Sequence, residues 1–191
     1  MTVLDYLREN ASLTGTKEGC AEGDCGACTI VLAETVDGKP DYKAVNACLL
    51  MVPQLDGKHV FTVEGLSSSD DLLDPVQDAM VKTDGTQCGF CTPGIIMSLF
   101  ALRQSEAEVT DGEIHDTLAG NLCRCTGYRP IVEAAREACT AAPNGNELEA
   151  LSANDEYQEG DQSFYTPKTI AEMAELYAAN PDANLLGGGT D

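Results

Sequence analysis

Residues 14–30 read TGTKEGCAEGDCGACTI, a run in which four residues separate Cys20 from Cys25 and two separate Cys25 from Cys28, among Gly15, Gly19, Gly23 and Gly26. Glycine at that density marks an irregular loop, and the ACTIVL that ends it, Ala27 to Leu32, reads as a buried strand. A fourth cysteine, Cys48, follows after nineteen residues, inside a second extended stretch from Tyr42 to Met51. Asp37-Gly38 and Asp56-Gly57 supply turns, and His59 to Val63 is a short β run closing near Gly65. Upstream, Thr2 and Asp5 open a capped helix over about residues 3–10, with Val3, Leu4 and Leu7 near helical spacing.

The spacing C-x4-C-x2-C with a distant fourth cysteine is that of a plant-type 2Fe-2S site. Three thiolates come from one loop, where glycines permit tight turns that aim N–H groups at sulfur, and the fourth pins the loop to the domain. A second quartet follows: Cys88-x2-Cys91, then, after thirty-one residues, Cys123-x-Cys125. The sequence predicts each pair to sit just before a helix, where N-terminal N–H groups stabilise thiolates and an anionic cluster. Four thiolates and two sulfides outweigh two ferric ions, so an oxidised cluster is a dianion that backbone donors must offset. The alternatives are zinc or buried thiols. Structural zinc favours a gap of two to four residues within a pair, whereas Cys123-Arg124-Cys125 leaves one. Cys139 has no partner motif and reads as a buried thiol.

After Gly65 the pattern turns helical, with predicted helices over Leu72–Lys82, Gly94–Arg103, Ile114–Asn121 and from Pro130 to about Cys139. Residues 141–163 carry six acidic side chains and no Lys or Arg, the composition of a connector. From Phe164 pattern returns: Thr169 caps a helix to about Ala179, Pro181-Asp182 turns, and Leu185-Leu186 leads into Gly187-Gly188-Gly189. The reading is therefore α+β in four parts. A domain with ferredoxin-type cluster spacing covers 1–66, a helical cluster domain 67–140, an acidic connector 141–163, and the opening of an α/β unit 164–191.

With 32 acidic and 11 basic residues the net charge is −21, which argues against nucleic-acid and anionic-membrane partners. The same balance serves solubility in high-salt proteins. No secretory signal and no run long enough for a bilayer is present, so the expectation is a soluble, cytoplasmic protein whose nine cysteines serve something other than disulfides.

TGTKEGCAEGDCGACTI (14–30), TQCGFCTPG (86–94) and NLCRCTGYRPI (121–131) resemble the molybdenum hydroxylase family, and the resemblance covers essentially the whole chain. Within it, NACLLMVPQLDGKHVFTVEGL (46–66) and LLGGGTD (185–191) are similar to the small subunits of bacterial xanthine dehydrogenases. The resemblance implies a β-grasp fold for residues 1–66, and electron transfer from a molybdopterin centre on a large partner subunit, in a heterotetramer, through two 2Fe-2S clusters to FAD and NAD. The reaction served is oxidation of hypoxanthine and xanthine to urate, and this chain alone is not expected to turn over purine. Cys88, Cys91, Cys123 and Cys125 then hold the molybdenum-side cluster, and Cys20, Cys25, Cys28 and Cys48 the flavin-side one. Gln87 faces the pterin, and Gly187, Gly188, Gly189 and Thr190 match a flavin pyrophosphate loop, although a glycine triplet alone is more often a turn. Arg124 either moderates local negative charge or is a solvated arginine. Family members carry a β-hairpin before the first helix and a complete FAD domain. The chain is thus expected to leave a sheet edge exposed and to bind FAD poorly or not at all. The same motifs suit an aldehyde or carbon monoxide dehydrogenase, whose FAD more often lies on another chain. A zinc-stabilised structural module is the reading of a different class.

Overall fold

The computed structural model describes residues 1–67, 72–104, 108–140, 148–149, 151–154 and 156–187. The first helix, α1 (Val3–Asp5), is capped by Thr2, whose hydroxyl accepts the Asp5 N–H, and continues as a π-helical turn through Tyr6–Asn10. Its first N–H groups, which have no partner within a helix, donate instead from Val3 to the Leu50 carbonyl (2.8 Å) and from Leu4 to that of Ala47 (3.0 Å).

Three antiparallel strands, β1 (Thr29–Val36), β2 (Lys39–Asn46) and β3 (His59–Phe61), form a sheet in the order β2-β1-β3. The β1–β2 hairpin closes at Asp37-Gly38, both at positive φ (51° and 77°), the two-residue turn whose twist matches the strands. Side chains alternate faces along a strand, and both faces of β1 are covered. Ile30 and Leu32 pack with Val3, Leu4 and Leu7, while Val31 meets Met97 and Phe100.

Four helices follow: α2 (Pro75–Lys82), α3 (Thr92–Arg103), α4 (Asp111–Leu118) and α5 (Arg129–Ala138). Capping boxes open α2 (Asp74 with Gln77) and α4 (Thr110 with Glu113). The shared core contains Val76, Met80, Ile95, Leu99, Ile114 and Ile131, each worth about 1.5–3 kcal/mol on burial. Helix α3 is apolar on every side because it serves two cores. Ile95, Ile96 and Leu99 face the bundle, and Met97 and Phe100 face the sheet, where Tyr42, Phe61 and Phe100 stack with centroids 5.8–6.1 Å apart.

The chain then returns to the sheet. His59 Nε2 lies 2.8 Å from the Glu149 carbonyl, the Asn154 N–H donates to the Asp56 carboxylate, and Ala153 packs over Gly57. Residues 156–159, inside the stretch predicted as connector, form β4 (Glu156–Glu159), which pairs with β5 (Gln162–Tyr165) before α6 (Ile170–Ala179). Along α6, Ile170, Met173 and Tyr177 are exposed. Among the described residues no helix is long and apolar enough to cross a membrane.

Candidate metal centres

The 20–28 loop doubles back on itself through Ala21, Gly23 and Gly26, all at positive φ. This turns the N–H groups of Glu22 and Asp24 onto the Cys20 sulfur at 3.4 and 3.3 Å. The Glu22 N–H, helped by Cys25 and Asp24 against a small burial penalty, brings the Cys20 thiol down to about 7. Asn46 clamps the loop by donating from Nδ2 to the Gly23 carbonyl (2.7 Å), and the Ala47 N–H reaches the Cys28 carbonyl (3.2 Å). Cys28 and Cys48 are buried side by side, and burial first, then Cys48, pushes the Cys28 thiol up to about 12.

In the second quartet Cys91 occupies the cap position of α3, whose Ile95 N–H bonds its carbonyl at 3.0 Å. Burial, reinforced by Cys123, pushes the Cys91 thiol up to about 12. Cys88 is exposed and lowered by the Phe90 N–H and then by Cys125. For Cys123, burial acts upward but is outweighed by the hydroxyl and N–H of Thr126, so the thiol falls below its ordinary value. Only the first pair stands directly before a helix. Between Cys125 and α5 lie Thr126, Gly127 and Tyr128, the last two at φ +69° and +66°. There the Tyr128 hydroxyl accepts the Cys123 N–H (2.7 Å) and donates to the Asn121 carbonyl (2.8 Å). Loop and side-chain donors thus replace the helix N-terminus expected for Cys123 and Cys125.

Within each quartet the thiols interact with one another: Cys20 with Cys25, Cys28 with Cys48 and Cys25, Cys88 with Cys125 and Cys123, and Cys91 with Cys123 and Cys88. Among the described residues no three His, Cys, Asp or Glu side chains gather as a site for one metal ion. A tetrahedral zinc needs all four ligands around one point, whereas a binuclear iron–sulfur cluster takes two thiolates on each iron. The thiol quartets and the N–H groups aimed at Cys20 and Cys88 fit the cluster. Cys139 is half-buried, its thiol raised by burial against the opposing charge of Arg103.

The two quartets adjoin. The Leu122 N–H donates to the Cys25 carbonyl (2.9 Å), joining a residue next to Cys123 to a cysteine of the first loop. Gly26 packs against the Gly120 carbonyl, and Gly94 against that of Gly26. Asn121, 2% exposed, lies in this seam, and Phe90 approaches Gly19. The sequence signalled none of these contacts, because each joins segments far apart in the chain. Gln87 and Arg124 are exposed on the second quartet's loops. Gly187 is exposed with nothing within 4 Å of where a Cβ would sit, and Gly188, Gly189 and Thr190 lie outside the described residues.

Residues 1–53 match the family described as 2Fe-2S iron-sulfur cluster binding domain, and residues 62–136 the one described as 2Fe-2S binding domain. Aldehyde oxidase 2 of Cavia porcellus is 50% identical over 141 residues, 73% of this chain and 11% of that protein. Xanthine dehydrogenase of Blastobotrys adeninivorans is 47% identical over 147 residues, 75% of this chain and 10% of that protein. The chain therefore spans about a tenth of the length of these relatives. Among solved structures, quinoline 2-oxidoreductase from Pseudomonas putida 86 aligns with a TM-score of 0.64 at 38% identity, over 73% of this chain and 81% of that one. Aldehyde oxidoreductase from Desulfovibrio gigas gives a TM-score of 0.65 at 38% identity, over 73% of this chain and 15% of that one.

Proposed function

Since the chain belongs to the molybdenum hydroxylase family as an iron–sulfur electron-transfer module, we propose that it serves an enzyme oxidising an aldehyde or a nitrogen heterocycle. The observation that carries the electron-transfer part is the gathering of eight thiols into two quartets on adjoining loops, and the substrate part draws on the names of the relatives. In this reading Cys20, Cys25, Cys28 and Cys48 hold one 2Fe-2S cluster, and Cys88, Cys91, Cys123 and Cys125 the other. When bound, each cluster takes up and gives back one electron at a time. The protein's part is to fix and tune. The N–H groups of Glu22 and Asp24 at Cys20, and of Phe90 at Cys88, draw charge from sulfur, which favours the reduced state. The Leu122–Cys25 hydrogen bond gives a short bonded link between the two ligand sets.

The aldehyde-oxidising reading draws its support from the aldehyde oxidases and oxidoreductases among the relatives. A second reading, the small subunit of a xanthine dehydrogenase, draws on relatives of that name and on LLGGGTD at 185–191. It brings FAD at Gly187 to Thr190, NAD as acceptor, and purine as substrate. Both readings call for a molybdopterin-binding large subunit, with Gln87 on the side toward it.

Anaerobic reconstitution of the full chain with iron and sulfide, followed by reduction, tests the core of the proposal. Two distinct paramagnetic centres are expected, and Cys125→Ser is expected to disturb one and spare the other. A folded protein that takes up only zinc would sink the proposal. Co-expression with the neighbouring large subunit then separates the readings by whether aldehyde or xanthine is oxidised.

A further inference from the structure

The buried amide of Asn121 is bonded on every side, and its bonds cross from one cysteine loop to the other. From Nδ2 it donates to the Gly26 carbonyl (3.0 Å) and to Thr29 Oγ1 (3.3 Å), both on the first quartet's side of the seam. Its Oδ1 accepts from Ser98 of α3 (2.7 Å), its N–H donates to Leu118 at the end of α4 (3.0 Å), and its carbonyl accepts the Tyr128 hydroxyl (2.8 Å). That same Tyr128 hydroxyl receives the Cys123 N–H. The next residue, Leu122, makes the Cys25 bond. Asn121 therefore sits where the α3, α4 and α5 segments and the loop between Cys25 and Cys28 all converge. A buried amide this fully bonded holds one geometry, because any displacement strands several polar groups at once.

We propose that Asn121, held by Ser98, is a positioning residue that sets the distance and orientation between the two clusters. It touches neither quartet's sulfurs. It acts by keeping the Gly26 carbonyl, and with it Cys25, in register with Leu122 and Cys123. Glycines at 26 and 94 let the backbones approach closely enough for one amide to span the seam. The inference rests on the two-cluster reading above.

The test is Asn121→Asp in the full chain, reconstituted with iron and sulfide. The variant keeps the side-chain shape but turns the two donors into an acceptor facing the Gly26 carbonyl. Iron and sulfide content reports whether both clusters are present. Low-temperature paramagnetic resonance of the fully reduced protein reports the spin–spin splitting between them, and hydrogen exchange reports protection of the Leu122 amide. With both clusters retained, the expected result is loss of splitting and loss of that protection. Thr110→Ala, which removes the α4 capping box away from the seam, is expected to lower the melting temperature and leave the splitting alone. Should the aspartate variant fail to take up both clusters, Ser98→Ala is read instead and is expected to weaken the splitting. Unchanged splitting in whichever variant carries both clusters overturns the inference, as does wild-type protein with two centres and no splitting. Both outcomes leave the two-cluster reading standing. Wild-type protein without two centres overturns the reading and the inference together.

Discussion

At the scale of single residues, the seam between the quartets is governed by what is missing from its glycines. Gly94 lies in the first turn of α3, where alanine would ordinarily favour the helix by about 1 kcal/mol. A Cβ there would stand 2.1 Å from the Gly26 carbonyl oxygen, which is backbone and has nowhere to go. Close approach wins over propensity, so Gly94→Ala is expected to destabilise by about 1–3 kcal/mol, as read from the denaturant midpoint. The sequence shows Gly94 only as the residue after Thr92-Pro93 at the start of a predicted helix. Its partner lies 68 positions away, and no local pattern reports a contact of that kind. The cysteine quartets stand out in the sequence for the opposite reason: thiols recruited from one loop leave a fixed spacing in the chain. Asn121 left no such mark, since a buried amide and a solvated one look alike in sequence.

At the scale of elements, local chemistry carried well and burial did not. Asp37-Gly38 demanded positive φ at two consecutive positions and closed the hairpin as expected. The second helix starts at Pro75 rather than Leu72. Asp74 supplies the cap there, and Leu72 and Leu73, placed inside the predicted helix, lie before it and are exposed. The β4–β5 hairpin was missed because Glu156–Glu159 is polar and mostly exposed, with no alternation to detect. Caps also set a pH dependence. The Thr110 N–H, followed by its hydroxyl, holds the Glu113 carboxyl below its ordinary value. A carboxylate depressed by folding contributes stability above its unfolded pKa of about 4.3 and loses it as pH falls through the lower folded value. Glu113→Gln keeps an acceptor for Thr110 without the titration. The melting-temperature gap between wild type and this variant is therefore expected to be full near neutrality and to close as pH drops below the carboxylate range.

At the scale of the whole molecule, charge dominates. A net −21 on a chain of this size is self-repulsion that the fold must withstand. Salt shortens the screening length from about 30 Å at 0.01 M to about 3 Å at 1 M. The melting temperature is accordingly expected to rise with sodium chloride over that range, and a fall would show that ion pairs such as Arg136–Asp111 outweigh the repulsion. The two-core architecture, with α3 shared between sheet and bundle, lay beyond sequence reading. Its signature, a helix apolar on all sides, also describes any deeply buried helix.

The docking of Glu149, Ala153 and Asn154 on the Asp56–His59 turn changes what sort of leash the acidic stretch is. A free chain between Thr140 and Glu156 would let the following hairpin and helix wander over a radius set by its length. The hairpin's reach is counted from the knot at Asp56, one or two residues away, however long the polypeptide leading to it.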